Sequence, residues 1–590
     1  MQAYGRRGQH AKLSSFCPYL SLYPTAPLRG RSFLLRFYRH LHFPFRYGIL
    51  KREKKSEEIR VEEKYLSLLY PTRESREAAM AVPSVNISQR VTEELGLASL
   101  LSLKNTSLSY FFTRDPEVIA YRQELFSDLE RNPALSETLG AALPLLYDIT
   151  ELRRLEADYD PTGESYLYSM TEVELYIDCV RLLSEGFAPY LGVIESRALR
   201  SLAETVTELA GSDYYRELNE SLEELSSRIR EVKSITVGVN LDSTMRPIEA
   251  GVLSVNSSHF KSGRVLDKIL RLSFKNDAMT TIAPITPLNK KQNENRRDAL
   301  ISAFNGALDD VFRASVRGWR AIVGEYVLEN TDFLLHVLPE IEFVTRADAL
   351  CRRLKERGYP LAVPTLLPMA EKAFSAKGLY NPDVALRIEG RVVENDFAFD
   401  DAGRIFILSG PNRGGKSVIT CALGLAQAMC QLGLPVPARE AAVSPVSAIF
   451  THFPTGAEDT LDKGRLGEEC ARLREIFDAS DADTLVLLDE SLSSTGAYEA
   501  SFIAAEILAA FAVLGTRLLF STHLHELAGE VEEINRRSLA EGGVRVDTLV
   551  AGIEEGERSF RIHRRAPDGR SYARDIAERY GLSFEGLKKI

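Results

Sequence analysis

Residues 405–420 read IFILSGPNRGGKSVIT, and this stretch limits the fold of its surroundings more than any other. Ile405, Phe406, Ile407 and Leu408 make a short apolar run suited to a buried strand, and Val418 to Leu432 supply a helix. Between them, Gly410, Gly415, Lys416 and Ser417 satisfy the spacing Gly-x4-Gly-Lys-Ser. Glycines let backbone N–H groups turn inward around phosphate oxygens, and the helix N-terminus adds partial positive charge. Lys416 would hold the β and γ phosphates of a nucleotide, and the Ser417 hydroxyl would ligate Mg2+.

Two further elements support that reading. TLVLLDE, residues 484–490, is an apolar strand ending in two carboxylates. Asp489 at its tip suits the Mg2+ shell, and Glu490 can polarise an attacking water. RLLFSTH, residues 517–523, ends in His523, placed to sense the γ-phosphate or position water. Three buried strands, each ending in chemistry of this kind, predict ATP binding and hydrolysis with ATP and Mg2+ as ligands. Beyond residue 384 strand-like and helical segments alternate, the order of an α/β domain with a largely parallel sheet.

The remainder reads differently. From about 85 to 235 the pattern is helical, and Leu218, Leu222, Leu225, Ile229 and Val232 form a heptad seam. Ile235, Val237 and Val239 then alternate with polar or small residues, and GVLSVNSSHF follows Pro247, so a strand pair is expected. Helical periodicity resumes over 296–357, and Pro360, Pro364, Pro368 and Gly378 interrupt it. The expected architecture is multidomain. A basic extension, disordered or mis-started, occupies 1–80. An all-α core or lever region with a small β-containing, clamp-like segment spans 85–380, and an α/β P-loop NTPase domain of the ABC-like class spans 381–590.

Charge sharpens this division. The net charge is −10, yet residues 1–52 hold ten Lys or Arg and no acid, leaving 63 basic against 83 acidic residues in the rest. Within that acidic remainder, residues 259–297 reverse the sign, and Lys261, Arg264, Lys268, Arg271 and Lys275 are candidate DNA contacts. A solvated helix face and loop would give the same pattern. The six cysteines never form Cys-x-x-Cys, which disfavours zinc ribbons and disulfides and fits a reducing, cytoplasmic compartment. No stretch is expected to cross a membrane.

GPNRGGKS, LLDESLSSTGAYEA and STHLHEL together resemble the ATPase core of the MutS mismatch-repair family. The resemblance runs over roughly 90–590 and is strongest from 393 to 527. DPEVIAYRQELFSDLERNPALSETL, 115–139, resembles the start of the family's helical core, and GRSYARDIAERYGLS, 569–583, a segment near its end. It implies nucleotide contacts from Gly410, Pro411, Asn412, Arg413, Gly414, Gly415, Lys416, Ser417 and Val418, with Asn412 helping to position the phosphates. VENDF, 393–397, falls where the family supplies adenine contacts, which places Val392 and Val393 near the base. Glu490, His523 and Asn412 become the catalytic set, and Ser417 and Asp489 the metal ligands. The resemblance also implies a homodimer through the ATPase domains and a DNA-contacting lever.

This chain departs from the family pattern at several points. The mismatch-reading domain with its Phe-x-Glu wedge and a nuclease-like tail after the ATPase are both expected to be lacking. The family's signature serine is absent from DTLDKGRLGEECARL, 459–473, where Glu469 matches a family glutamate and Arg465 or Lys463 would replace the serine. Arg413 stands for methionine, and Val418 for threonine. The expected function is a dimeric ATPase that couples nucleotide state to DNA binding in repair or recombination without mismatch reading. The alternative is an ATP-gated scaffold for protein partners that never touches DNA.

Overall fold

The computed structural model describes residues 65–566, apart from 104–107, 160–165, 231–233, 246, 257–285, 288–332, 412, 454–463, 525 and 555–556, together with 582 and 588. The chain enters through residues 65–70, whose Leu66, Leu68, Leu69 and Tyr70 are buried. One carboxylate oxygen of buried Glu340 accepts from the Ser67 hydroxyl (2.8 Å) and from the backbone N–H groups of Leu68 (2.7 Å) and Leu69 (3.2 Å). Its other oxygen pairs with Arg76 at 3.3 Å. Helix α1, Arg73–Ala81, follows, with Thr72 and Ser75 forming a capping box. This corrects the expected extension over 1–80, because its last sixteen residues, 65–80, belong to the folded body.

The helical half is built from amphipathic segments. After α2 (Gln89–Glu94) and α3 (Leu97–Leu101) come α4 (Pro116–Arg131), α5 (Pro133–Tyr159), α6 (Tyr166–Phe187), α7 (Arg197–Ala210) and α8 (Asp213–Arg230). Asp115 accepts the N–H of Glu117 and Pro116 opens α4, a favourable start on both counts. Along α7, Ala198, Leu199, Leu202, Ala203 and Val206 are buried, a single face at helical spacing. Of the heptad seam, Leu218 and Leu222 are buried on α8, while Val232 lies outside the described residues. The expected strand pair is present as antiparallel β1 (Ser234–Leu241) and β2 (Pro247–Asn256), joined by the two-residue β3 (Thr286–Pro287). Helix α9, at 333–356, then returns into the core through Leu334, Val337, Ile341, Val344, Leu350 and Leu354.

Two sheets make the α/β half. The smaller runs in the order β4 (Thr365–Leu366), β8 (Glu440–Val443), β5 (Phe374–Leu379), β6 (Asn395–Phe399). Its strands β4 and β5 lie upstream of residue 381, so the sheet starts before the expected boundary. The short helix α10, Pro382–Arg387, connects β5 to β6. In the larger sheet the order is β13 (Glu557–Arg564), β12 (Val546–Glu554), β7 (Ile405–Ser409), β11 (Arg517–Ser521), β10 (Leu485–Asp489), β9 (Ile449–His452). The five strands from β12 to β9 are parallel, and β13 closes the edge as an antiparallel hairpin.

Side-chain alternation divides this sheet's burial between two layers. Phe406, Leu408, Leu485, Leu487 and Leu519 face the core shared with α11 (Lys416–Gln431) and the helical half. Ile405, Ile407, Val486, Leu488, Leu518 and Phe520 face α12 (Gly464–Ala479), α13 (Ala497–Leu514) and α14 (Val531–Ala540). Helix α13 is long and apolar enough to cross a membrane by composition, contrary to expectation. Its Ala500, Ala504, Leu508, Phe511 and Ala512 are buried in this second layer, while Tyr498, Phe502 and Val513 are exposed.

Polar contacts join the two halves. The fully buried Arg122 of α4 donates to the carbonyls of Leu69 (2.9 Å), Phe111 and Leu432 (3.5 Å). Glu94 of α2 accepts from Thr451 at 2.5 Å and Arg472 at 3.0 Å, tying α2 to β9 and α12.

Candidate nucleotide-binding site

Above the carboxyl end of β7 the chain turns through Gly410 into α11. Gly410 holds φ 142°, and a Cβ there would sit 2.7 Å from that of Ala551 on β12. Gly415, at φ 89°, starts α11 in the left-handed region, and Arg413 adopts φ 59° just before it. The loop thus needs glycine where backbone crowds it, and it spends some strain on Arg413.

A cavity of about 420 Å³ opens over this loop. At one end it is lined by Arg413, Gly414, Gly415, Lys416, Ser417 and Glu490. The Lys416 ammonium, nearly buried, donates to the carbonyls of Gly410 and Pro411, both at 3.2 Å. Burial pushes its pKa below the usual lysine value, opposed by the charges of Glu490 and then Asp489. Asp489 lies behind Ser417 at the tip of β10. Burial raises its pKa, while hydrogen bonds from the Ser521 hydroxyl (2.6 Å) and from Ser417 oppose the rise. A serine hydroxyl beside one carboxylate is a hard oxygen set that suits Mg2+, which takes few protein ligands and fills its shell with phosphates and water. Among the described residues no group of three or more His, Cys, Asp or Glu is placed to hold a metal.

Glu490 follows Asp489 with φ 47°, and its N–H donates to Ser521 O at 2.8 Å. The next residue, Ser491, shares a hydrogen bond of 2.7 Å between its hydroxyl and His452 Nδ1 at the end of β9. Burial, and then Arg472, push the His452 imidazole down to about 4. His523 lies exposed two residues beyond β11 and is not part of the cavity lining. Asn412 lies outside the described residues, as do the candidate DNA contacts Lys261, Arg264, Lys268, Arg271 and Lys275. Of the segment 459–473, Glu469 on α12 accepts from the Ser494 hydroxyl at 3.1 Å, and Arg465 is exposed.

The opposite end of the cavity is mostly apolar. Val392 and Val393 line it together with Tyr380, Val384 and Ile388, while Phe560 reaches the phosphate loop, its Cδ1 3.4 Å from where a Cβ on Gly415 would sit. Phe560 escapes a motif reading because it arrives from β13, brought across by Asn395. The Asn395 amide donates to Phe560 O (3.1 Å) and accepts from the N–H of Ile562 (2.7 Å). Asn381 caps α10 and donates to Val418 O at 3.2 Å, joining this wall to the first turn of α11. The Asn-Pro-Asp run at 381–383 signals the helix cap in sequence, but nothing signals that the cap borders a cavity.

A glycine-turned loop between a parallel strand and a helix, with Lys416, Ser417 and Asp489 converging there, defines a P-loop nucleotide-binding protein. The description MutS domain V matches residues 406–565, and MutS2 N-terminal domain matches residues 114–357. The chain belongs to the MutS-related family. Among its curated relatives, the endonuclease MutS2 of Thermus thermophilus is 31% identical over 270 residues, 43% of this chain and 35% of that protein. The DNA mismatch repair protein MutS of Chlorobium phaeovibrioides is 31% identical over 271 residues, 41% of this chain and 30% of that protein. The match therefore spans about a third of the length of these relatives.

Proposed function

We propose that this protein binds and hydrolyses ATP with Mg2+ and couples its nucleotide state to DNA binding, in repair or recombination without mismatch reading. The observation that carries this reading is a single cavity with two unlike ends. One end offers Lys416, Ser417 and Glu490 in front of Asp489, the other is mostly apolar with the Tyr380 ring in it, and Phe560 lies beside Gly415. Backbone N–H groups of residues 412–417 and the Lys416 ammonium would hold the phosphates, with Asn412 and Arg413 in the same loop. Ser417 and Asp489 would hold Mg2+, which supplies charge neutralisation between the phosphates. Glu490 would accept a proton from the attacking water, with His523 placed near the γ-phosphate once the site is closed. Val392, Val393 and Phe560 would receive the base.

Dimerisation through the α/β halves would complete the site, and the helical half would act as a lever carrying a clamp-like hairpin. The relatives named for DNA mismatch repair support DNA as the partner, and Lys261, Arg264, Lys268, Arg271 and Lys275 would be its contacts. Those relatives disfavour the protein-only scaffold. Cys179, Cys351, Cys421, Cys430 and Cys470 are unbridged, in keeping with a cytoplasmic setting.

ATP turnover by the purified protein tests the first half of this proposal. Lys416→Ala is expected to weaken triphosphate binding by roughly ten- to a hundredfold. Unchanged binding, or no turnover by the parent protein, would sink the reading. For DNA, affinity should fall steeply between low and moderate salt; an absence of binding at low salt would leave the scaffold.

A further inference from the structure

Helix α9 ends against the segment that lines the cavity. Gly358, at φ 78°, stops it, with its N–H donating to Lys355 O (2.8 Å) and the N–H of Tyr359 donating to Leu354 O (3.1 Å). A left-handed glycine is a common way to end a helix and turn the chain sharply. The residues on either side of this stop both reach the segment that forms the apolar wall. Arg357 Nη1 donates to the carbonyls of Ala385 (3.1 Å) and Ile388 (3.2 Å), at the carboxyl end of α10. The Tyr359 hydroxyl donates to Gly390 O (3.2 Å) and accepts the N–H of Val392 (3.1 Å). Its ring stacks on that of Tyr380, with centroids 5.0 Å apart and planes at 26°. Tyr380 in turn donates to Pro360 O at 2.9 Å.

Residues 389–394 have no ladder pairing of their own between α10 and β6. Irregular backbone of this kind depends on side chains for its hydrogen bonds. Tyr359 is buried and makes two of those bonds from a single oxygen. Tyr380, Ile388 and Val392, which the end of α9 holds by stacking and hydrogen bonding, all line the cavity.

We propose that the carboxyl end of α9, through Arg357 and Tyr359, sets the wall that receives the base, and that Tyr359 is a positioning residue for the base rather than the phosphates. The proposal rests on the nucleotide reading above. Because α9 is embedded in the helical core, filling the base end and fixing the end of α9 favour one another. Linkage makes that relation reciprocal.

The experiment compares two ligands on the full chain, ATP and inorganic tripolyphosphate, each with Mg2+. Tyr359→Phe keeps the stacked ring and removes only the oxygen. It should weaken ATP binding roughly five- to thirtyfold and leave tripolyphosphate within about twofold. In turnover the KM for ATP should rise by the same factor while kcat holds. Arg357→Gln should give the same split with a smaller factor, and it carries the test if Tyr359→Phe does not fold. Equal losses for both ligands, or unchanged ATP binding, overturn the proposal. Parent protein that binds tripolyphosphate but gains nothing from the base also overturns it. Parent protein that binds neither ligand overturns the nucleotide reading itself.

Discussion

At its phosphate end the cavity takes Arg413, Gly414, Gly415, Lys416 and Ser417 from one turn of chain, with Glu490 one residue past β10, two strands away from β7. Its base end takes Tyr380, Ile388 and Val392 from one stretch of chain, residues 380–392, and Phe560 from β13, held by Tyr359, Arg357 and Asn395. The first end is built mainly by local geometry: a strand, a glycine turn and a helix start place every group except Glu490. The second is built by tertiary contacts, each worth a hydrogen bond or a ring stack. Chemistry that must be held tightly therefore sits on local structure, and the more adaptable recognition sits on contacts that reach into the helical half.

Substitutions at the phosphate end should separate chemistry from binding. Glu490→Gln is expected to lower kcat by about 10²–10⁴-fold with little change in ATP affinity. A joint loss in a single-turnover and binding comparison would make Glu490 a binding group only. Next in size is a pH effect behind Glu490. Burial lowers the pKa of His452 from 6.5 to about 4, so the folded state binds fewer protons than the unfolded state between those values. The stability this contributes is present in full above about 6.5 and is lost as pH falls through about 4, amounting to up to about 3 kcal/mol. Urea midpoints of the parent protein should fall over that interval, and His452→Asn should flatten the fall.

Smaller effects mark the metal and the base. Ser417→Ala should raise the Mg2+ concentration needed for half-maximal turnover by roughly tenfold, measured at saturating ATP. An unchanged requirement would move the metal away from the Ser417–Asp489 pair. Asn395→Ala frees Phe560 and Ile562 on β13, and it should weaken ATP binding by only about three- to tenfold while sparing tripolyphosphate. If tripolyphosphate weakened too, β13 would be supporting both ends and the contrast between them would blur.

The same contrast explains what could be read from sequence. Gly410 to Ser417 and Asp489–Glu490 announce themselves because strand, turn and helix carry short-range signatures. The hairpin β1–β2 is legible through alternation, and the seam on α8 through its heptads. Val392 and Val393 were reachable only through the family resemblance. Phe560 and Tyr359 were hidden, since an aromatic in a strand or after a helix reads as ordinary core until the chain is folded. Residues 65–70 did carry a signal: YLSLLY is apolar, but the basic stretch before it and the charged α1 after it masked the run. The boundary near 381 misplaced β4 and β5, because the proline-rich stretch that breaks helical periodicity is where the small sheet begins.

The three donors that residues 67–69 present to Glu340 have a practical meaning for where a protease can nick this protein without consequence. Cleavage just after Tyr70 would withdraw the Ser67 hydroxyl and two amides from a carboxylate that burial already drives toward its neutral form. Arg76 would remain as its partner, and each lost hydrogen bond to the carboxylate would cost about 1.5–3 kcal/mol. A trimmed chain beginning at 71 would then be expected to survive limited digestion poorly, and a fragment ladder would show residues 65–70 retained in whatever resistant core accumulates.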